Sequence, residues 1–432
     1  MRYPLKQLPR LLANPVGRSQ ILTGQLHGAW PLLSRTAKLY RMAALRRLQM
    51  VTVVGSLGKT TATRAASVAL GIPLHPRMSL NDKAFLPFQI LRISPFARRG
   101  IVEVGIDRPG QMREFSRMVR PDVTLVTAVA SQHKRSLGSI ERTRDEKADM
   151  VRALPASGCA VLNADDPNVM WMGGQTKARI LTYGRAADAD VRLLSVEDRF
   201  PDGLALTIET DEGRRTVTSP LIGAQMAHPL LLAVAAAKAV GLPLDDAARR
   251  LEQLTSAPGR MQLFRLDNGA LLIGDYSTST VDTVEAALDA LAAAPARRKL
   301  VLLGDLTEVS VNPGDVYRGV GARIAEIAQA AAFFGEKAKS ARSGAVQAGL
   351  PRDQTFLSEK RLDAVIEWAR SEVREGDVVL LKARHNQRFD RIAHALNGRK
   401  VRCNLRSCGA AAIECDTCAM LGRSWRDRDR LD

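Results

Sequence analysis

Two α/β domains are predicted, a P-loop central domain with a parallel sheet and a smaller α/β domain after it, and three observations carry the prediction. A β-branched run at residues 51–54 leads into a glycine loop and then a helical stretch at 62–70. Short apolar runs at 101–104, 123–126 and 160–162 follow, with helical stretches between them. After the turn signal Ala257-Pro258-Gly259 the alternation resumes at 271–273, 300–303, 331–334 and 378–381. Strands spaced by helices read as βαβ units and hence as parallel sheets. The expected division is a basic helical segment over 1–50, a central domain over 51–257, a second domain over 258–396 and a tail over 397–432.

The first segment carries nine Lys or Arg and no Asp or Glu, half of the net charge of +18. Ile21, Leu22, Leu26, Trp30, Leu33, Ala37, Tyr40 and Ala44 recur mostly at three- and four-residue steps, a helical stripe. Such a helix docks on the domain that follows, or lies in the plane of an anionic membrane surface. Residues 191–219 differ from the rest: two strand-like runs flank Thr210-Asp211-Glu212-Gly213, a hairpin signal. Residues 229–240 are an alanine-rich helix.

The chemistry starts at Gly55-Ser56-Leu57-Gly58-Lys59-Thr60-Thr61. Glycines let backbone N–H groups approach phosphate oxygens, and the helix N-terminus adds favourable potential. Lys59 can neutralise charge at the β- and γ-phosphates, and the Thr60 hydroxyl can hold Mg²⁺. The first glycine stands three residues before the second, a shorter spacing than in the common P-loop.

No apolar run approaches the roughly 18–20 residues of a membrane span, and no apolar core of a secretory signal follows the basic N-terminus. Five cysteines do not make a disulfide framework, so a cytoplasmic location is expected, and peripheral attachment at the inner membrane face through residues 1–50 is the alternative to docking. Cys403, Cys408, Cys415 and Cys418, at C-x4-C-x6-C-x2-C, could hold tetrahedral Zn²⁺. Cys159, beside a predicted strand, reads as a small core residue. No nucleic-acid-binding signature accompanies the basic charge, and no nucleic-acid partner is expected.

The dispersed motifs resemble those of the Mur ligase family, and of its D-alanyl-D-alanine-adding subgroup in particular. The loop has the family's G-[ST]-x-G-K-T-T form. Glu103, in Val102-Glu103-Val104-Gly105, resembles the family's glutamate near the metal. Asn81 lies where the family has an Asn-rich segment. Pro121, Thr127, His133 and Ser139 resemble a stretch whose histidine helps hold a second Mg²⁺. Lys147 occupies the position of the lysine that the family carbamylates. Residues 161–167, VLNADDP, are similar to "LNADDP". Pro258-Gly259-Arg260-Met261-Gln262 is similar to "PGRMQ", whose arginine approaches the nucleotide phosphates. Asp275 resembles the aspartate that holds the ribose. Leu303-Gly304-Asp305-Leu306-Thr307-Glu308 and Leu381-Lys382-Ala383-Arg384 resemble the subgroup's "GDMxELG" and "VKGSR".

The resemblance implies a central ATPase domain and a C-terminal Rossmann-like domain. It implies Lys59, Glu103, His133 and Lys147 as catalytic residues, with Thr60, Glu103 and His133 on Mg²⁺. ATP would be held by Gly55, Ser56, Gly58, Lys59, Thr60, Thr61, Arg260 and Asp275. The implied reaction activates a carboxylate as an acyl phosphate, releases ADP, and lets an amine displace phosphate to give an amide.

Three departures stand beside it. Only about 50 residues precede the loop, where the family carries a domain that binds a UDP-sugar peptide. The segment usually written G-x-H-N-x-x-N is Gly223-Ala224-Gln225-Met226-Ala227-His228-Pro229. "DSYNANP" is Asp275-Tyr276-Ser277-Thr278-Ser279-Thr280-Val281. The expected substrates are a carboxylate of cell-wall or poly-amino-acid type and an amine, with a UDP-muramyl peptide disfavoured. A regulatory ATP-binding subunit without ligase activity and a nucleic-acid-binding P-loop ATPase are the alternatives.

Overall fold

A computed structural model of the chain describes residues 8–13, 15–74, 83, 85–130, 138–309, 311–410 and 413–423. It divides into two compact units, one over residues 25–255 and one combining residues 1–24 with 256–432.

After two short N-terminal helices, α1 (Leu8–Leu12) and α2 (Pro15–Gly28), helix α3 (Trp30–Ala43) leads into strand β1 (Gln49–Val54). The rest of the 25–255 unit runs through α4 (Lys59–Ala69), α5 (Leu86–Leu91), β2 (Arg99–Glu103), α6 (Gln111–Val119), β3 (Val123–Val126), α7 (Ile140–Arg152), β4 (Cys159–Asn163), α8 (Pro167–Met170), β5 (Arg179–Gly184), β6 (Val191–Asp198), β7 (Leu204–Thr210), β8 (Gly213–Ser219), α9 (Ala227–Ala239) and α10 (Leu244–Leu251). Its strands form one eight-stranded sheet in the order β2-β1-β3-β4-β5-β6-β7-β8. The pairs from β2 to β6 are parallel, and β6-β7-β8 is an antiparallel meander. β1, β3 and β4 are apolar and buried on both faces, as strands covered by helices on each side must be.

Helix α3 belongs to this core. Trp30 and Ala37 are buried with Leu45 and Leu48 against Phe115, Met118 and Ile90. The Trp30 and Phe115 rings meet edge to face at 5.6 Å, and Trp30 Nε1–H donates to Glu114 at 2.9 Å. Tyr40 O–H donates to the Ile93 carbonyl at 2.8 Å, which places the polar end of that partly buried ring. Arg41, 6% exposed, donates to the carbonyls of Val119, Leu45 and Arg120 and pairs with Asp122 at 2.9 Å. The docking half of the sequence expectation therefore holds from Trp30 onward. Upstream the predicted stripe breaks at the Ala29 junction, and Leu22 is 57% exposed. Trp30→Ala is expected to cost about 3–5 kcal/mol, the usual loss for a buried tryptophan, read as a lowered thermal midpoint. An unchanged midpoint would place α3 outside the cooperative core.

The second unit carries β9 (Gln262–Arg265), β10 (Leu271–Asp275), α11 (Val281–Ala293), β11 (Arg298–Leu303), α12 (Pro313–Ile327), β12 (Ala330–Phe334), α13 (Ala338–Gln347), β13 (Thr355–Ser358), α14 (Leu362–Glu372), β14 (Asp377–Lys382) and α15 (Asp390–Leu396). The sheet order is β13-β12-β11-β14-β10-β9, parallel except for the edge strand β9. No described helix is long and apolar enough to cross a membrane.

Candidate active site

The loop after β1 is held by its neighbours as much as by its own glycines. Gly55 has φ +145°, and a Cβ there would fall 1.9 Å from Thr127 Oγ1, so no larger residue fits. Gly58, at φ +74°, caps the N-terminus of α4 in the left-handed region. The Thr127 hydroxyl donates to the Leu57 carbonyl at 2.7 Å. Ser56 N–H donates to the Ala128 carbonyl at 2.6 Å, and its hydroxyl to the Ala130 carbonyl at 3.1 Å. The stretch after β3 is fixed in turn from β4 and β5. Asn163 Nδ2 donates to the Thr127 carbonyl at 3.1 Å, and the buried Tyr183 hydroxyl lies 3.0 Å from that of Val126. Asp166 accepts from Val129 N–H at 2.8 Å and caps α8.

Three charged groups converge on this loop. Lys59, the first residue of α4, folds back so that its ammonium donates to the Gly55 and Ser56 carbonyls at 3.0 and 3.1 Å. Thr60 O–H donates to Glu103 Oε1 at 3.2 Å; Glu103 ends β2 and is 1% exposed. Lys147, on α7 and equally buried, donates to the Gly55 carbonyl at 2.8 Å. Burial first, and the like charge of Lys59 second, hold the Lys147 amine well below the ordinary lysine range.

The structure thus gathers Gly55, Ser56, Gly58, Lys59, Thr60, Thr61, Glu103 and Lys147 around one loop. His133 and Asn81 lie outside the described residues. Tyr183 was not foreseen: a lone tyrosine in Leu181-Thr182-Tyr183-Gly184 carries no motif. Asn163 and Asp166 lie in a motif the sequence did display, and Thr127 was singled out, but their role as struts appears only when β3, β4 and β5 are seen side by side.

Arg260 and Asp275 belong to the second unit. A Cβ at Gly259, φ +65°, would meet the Tyr276 ring at 2.7 Å, which keeps a glycine before Arg260. Arg260 donates to the Thr278 hydroxyl at 2.9 Å. Asp275 accepts from Met261 N–H at 3.3 Å and pairs with Lys382, whose ammonium, 1% exposed, also donates to the Thr278 carbonyl at 2.9 Å. Asp305 is buried between Arg384 at 2.9 Å and Gln387 at 3.0 Å; burial first raises its carboxyl above the ordinary range.

The tail cysteines do not present the tetrahedral set that their spacing suggested. All four are free thiols, and among the described residues no three His, Cys, Asp or Glu side chains are placed to hold a metal ion. Cys403, Cys408 and Cys418 pack on Val16, Leu405, Ala410 and Met420. Burial pushes the Cys415 and Cys418 thiols up. Cys159 is a buried core residue of β4.

A glycine loop that opens a helix at the carboxyl end of a parallel strand, with a lysine, a hydroxyl and a carboxylate beside it, defines a P-loop nucleotide-binding α/β protein. The Mur ligase middle domain matches residues 43–237, and the Mur ligase glutamate ligase domain matches residues 259–385. The chain belongs to the Mur ligase family. It is 28% identical over 431 residues to the UDP-N-acetylmuramoyl-tripeptide–D-alanyl-D-alanine ligase of Mycobacterium bovis, covering 90% of this chain and 82% of that one. To the Bacillus subtilis ligase of the same name it is 24% identical, covering 84% and 79%. The fold is similar to that of MurF from Acinetobacter baumannii, with a TM-score of 0.77, 21% identity and coverage of 86% and 81%. These findings put the chain among the ATP-dependent ligases that form amide bonds, and they do not favour the regulatory or nucleic-acid-binding readings.

Proposed function

We propose that this ligase joins the carboxylate of a peptide-bearing cell-wall precursor to the amine of a short peptide, in the manner of its D-alanyl-D-alanine-adding relatives. The observation that carries the reading is the convergence of Lys59, the Thr60–Glu103 pair and the buried Lys147 on the loop around Gly55. The carboxylate attacks the γ-phosphorus of ATP, ADP leaves, and an acyl phosphate remains. The amine then attacks the acyl carbon, phosphate leaves, and the nitrogen gives up a proton. Two anions must meet in the first step, and Lys59 offsets their repulsion at the β- and γ-phosphates.

The adjacent Thr60 hydroxyl and Glu103 carboxylate are the hard oxygen donors that Mg²⁺ takes. Bound there, the ion would neutralise phosphate charge; His133 is assigned to a second ion on the family resemblance. Arg260 is assigned to the phosphates and Asp275 to the ribose on the same ground. A carbamate on Lys147 would turn a penalised buried cation into an anion beside Lys59. A poly-amino-acid carboxylate is the runner-up substrate, favoured by the departures at Met226, Pro229 and Ser277 to Thr280. A cytoplasmic enzyme attached peripherally at the inner membrane face through residues 1–50 completes the reading.

Turnover with pooled carboxylates and amines, followed by mass spectrometry, is expected to yield an amide in step with ADP and phosphate. AMP and pyrophosphate formed in step with product would rule out the acyl phosphate and point to adenylation.

A further inference from the structure

Helix α3 has two faces, and only one is spent on the core. Trp30, Ala37 and Arg41 point inward. On the other side Leu32 is 69% exposed, Leu39 65% and Met42 45%, large exposures for apolar side chains. Arg35 and Lys38, also exposed, lie among them. At 100° per residue these five positions fall within a sector of about 120°. Helix α6, packed beside α3, adds the exposed Arg113 and Arg117, with Arg120 just past its end and Arg46 just past α3.

Between the two helices lies a cleft of 870 Å³ lined by Lys38, Met42, Arg46, Arg117 and Arg120. Its acid, Asp122, is held by Arg41, and Glu114 accepts from Trp30. No ion pair among the described residues involves Arg35, Lys38, Arg46, Arg113, Arg117 or Arg120. The cleft sits where β1 and β3 begin, and the phosphate loop follows the other end of β1.

We infer that this α3–α6 face docks on an anionic phospholipid bilayer, the cleft taking lipid phosphate groups while Leu32, Leu39 and Met42 enter the interface. Unpaired cations alone would suit any polyanion. Leucines on the same face gain little from a phosphate backbone, but gain from burial among acyl chains. The inference rests on the reading of residues 1–50 as a membrane-attachment segment, and moves the contact to a composite surface completed by α6.

The test is sedimentation of the full chain with vesicles of phosphatidylcholine alone or mixed with phosphatidylglycerol, alongside calorimetric titration of ADP. Binding only to the anionic vesicles, weakened by salt, is expected. Arg117→Glu with Arg120→Glu, and separately Leu32→Ser with Leu39→Ser, should each lower partitioning by about tenfold or more, with ADP affinity unchanged. A variant that loses ADP affinity is replaced by its milder form, Arg117→Gln with Arg120→Gln or Leu39→Ser alone. If neither pair matters but Arg2→Glu, Lys6→Glu and Arg18→Glu together abolish binding, the cleft assignment is overturned while attachment through residues 1–50 stands. Absence of vesicle binding overturns both and leaves the ligase reading untouched. Equal binding to duplex DNA, insensitive to the serine changes, would make the face a nucleic-acid surface instead.

Discussion

Lys59→Ala is expected to lower amide-forming turnover by on the order of 10² or more while leaving the protein folded. The Lys59 ammonium donates to the Gly55 and Ser56 carbonyls, both within the loop. It is held at the mouth of a helix whose first N–H groups face the same space, the position from which it can meet the β- and γ-phosphates. Removing one positioned charge of this kind commonly costs two to three decades in rate, about 2.7–4 kcal/mol. The fold should lose little, about 1 kcal/mol, the usual net worth of such hydrogen bonds. Lys59→Arg is the companion variant; it keeps the charge and alters its geometry. Circular dichroism and steady-state kinetics decide the matter, and wild-type turnover by Lys59→Ala would remove the loop from the mechanism.

Lys147→Ala is expected to reduce turnover to a similar degree, for a different reason. The side chain is fully enclosed, donates to Gly55, and pairs with no carboxylate among the described residues. An ammonium there is doubly penalised, by burial and by Lys59. A lowered pKa favours the neutral amine, the nucleophilic form that takes up CO₂, and a carbamate there would restore a favourable charge pairing with Lys59. Formate or acetate should then partly restore the Ala variant by occupying the vacated space, and bicarbonate depletion should slow the native enzyme. Lys147→Met keeps the volume without the nitrogen; it should be as inactive as Ala and resist the rescue. Normal rates in the Ala variant would make Lys147 a packing residue.

The elements most legible in the sequence were those with two independent signals. The 51–54 run, the glycines and α4 announced one another, and the turn at Asp211-Glu212 stood between the β7 and β8 runs. β5, β9 and β13 gave no such pair of signals. Arg179 and Ile180 open β5 with exposed side chains, and β9 and β13 are short strands at sheet edges, where one flank faces no partner strand. The loop residues of the site could be read because a phosphate cradle constrains local sequence. Lys147 could be placed only by resemblance. Its approach to Gly55 spans 92 positions, and nothing in Asp145-Glu146-Lys147-Ala148 distinguishes it from a solvated helical lysine. The tail cysteines erred the other way: a suggestive spacing in sequence, but thiols packed as small apolar groups in space.

The Arg41 clasp has a consequence for how the chain is made. Its acceptors Val119 and Asp122 lie 78 and 81 residues downstream. At about 5–20 residues per second a ribosome needs roughly 4–16 s to deliver them. During that interval α3 is already outside, with Trp30 and Ala37 on one side, Leu32 and Leu39 on the other, and no β3 or α6 to receive the inward face. The nascent chain therefore passes through a stage in which both faces of α3 await a surface. A chaperone or a bilayer reached during that window would engage the helix before the sheet exists.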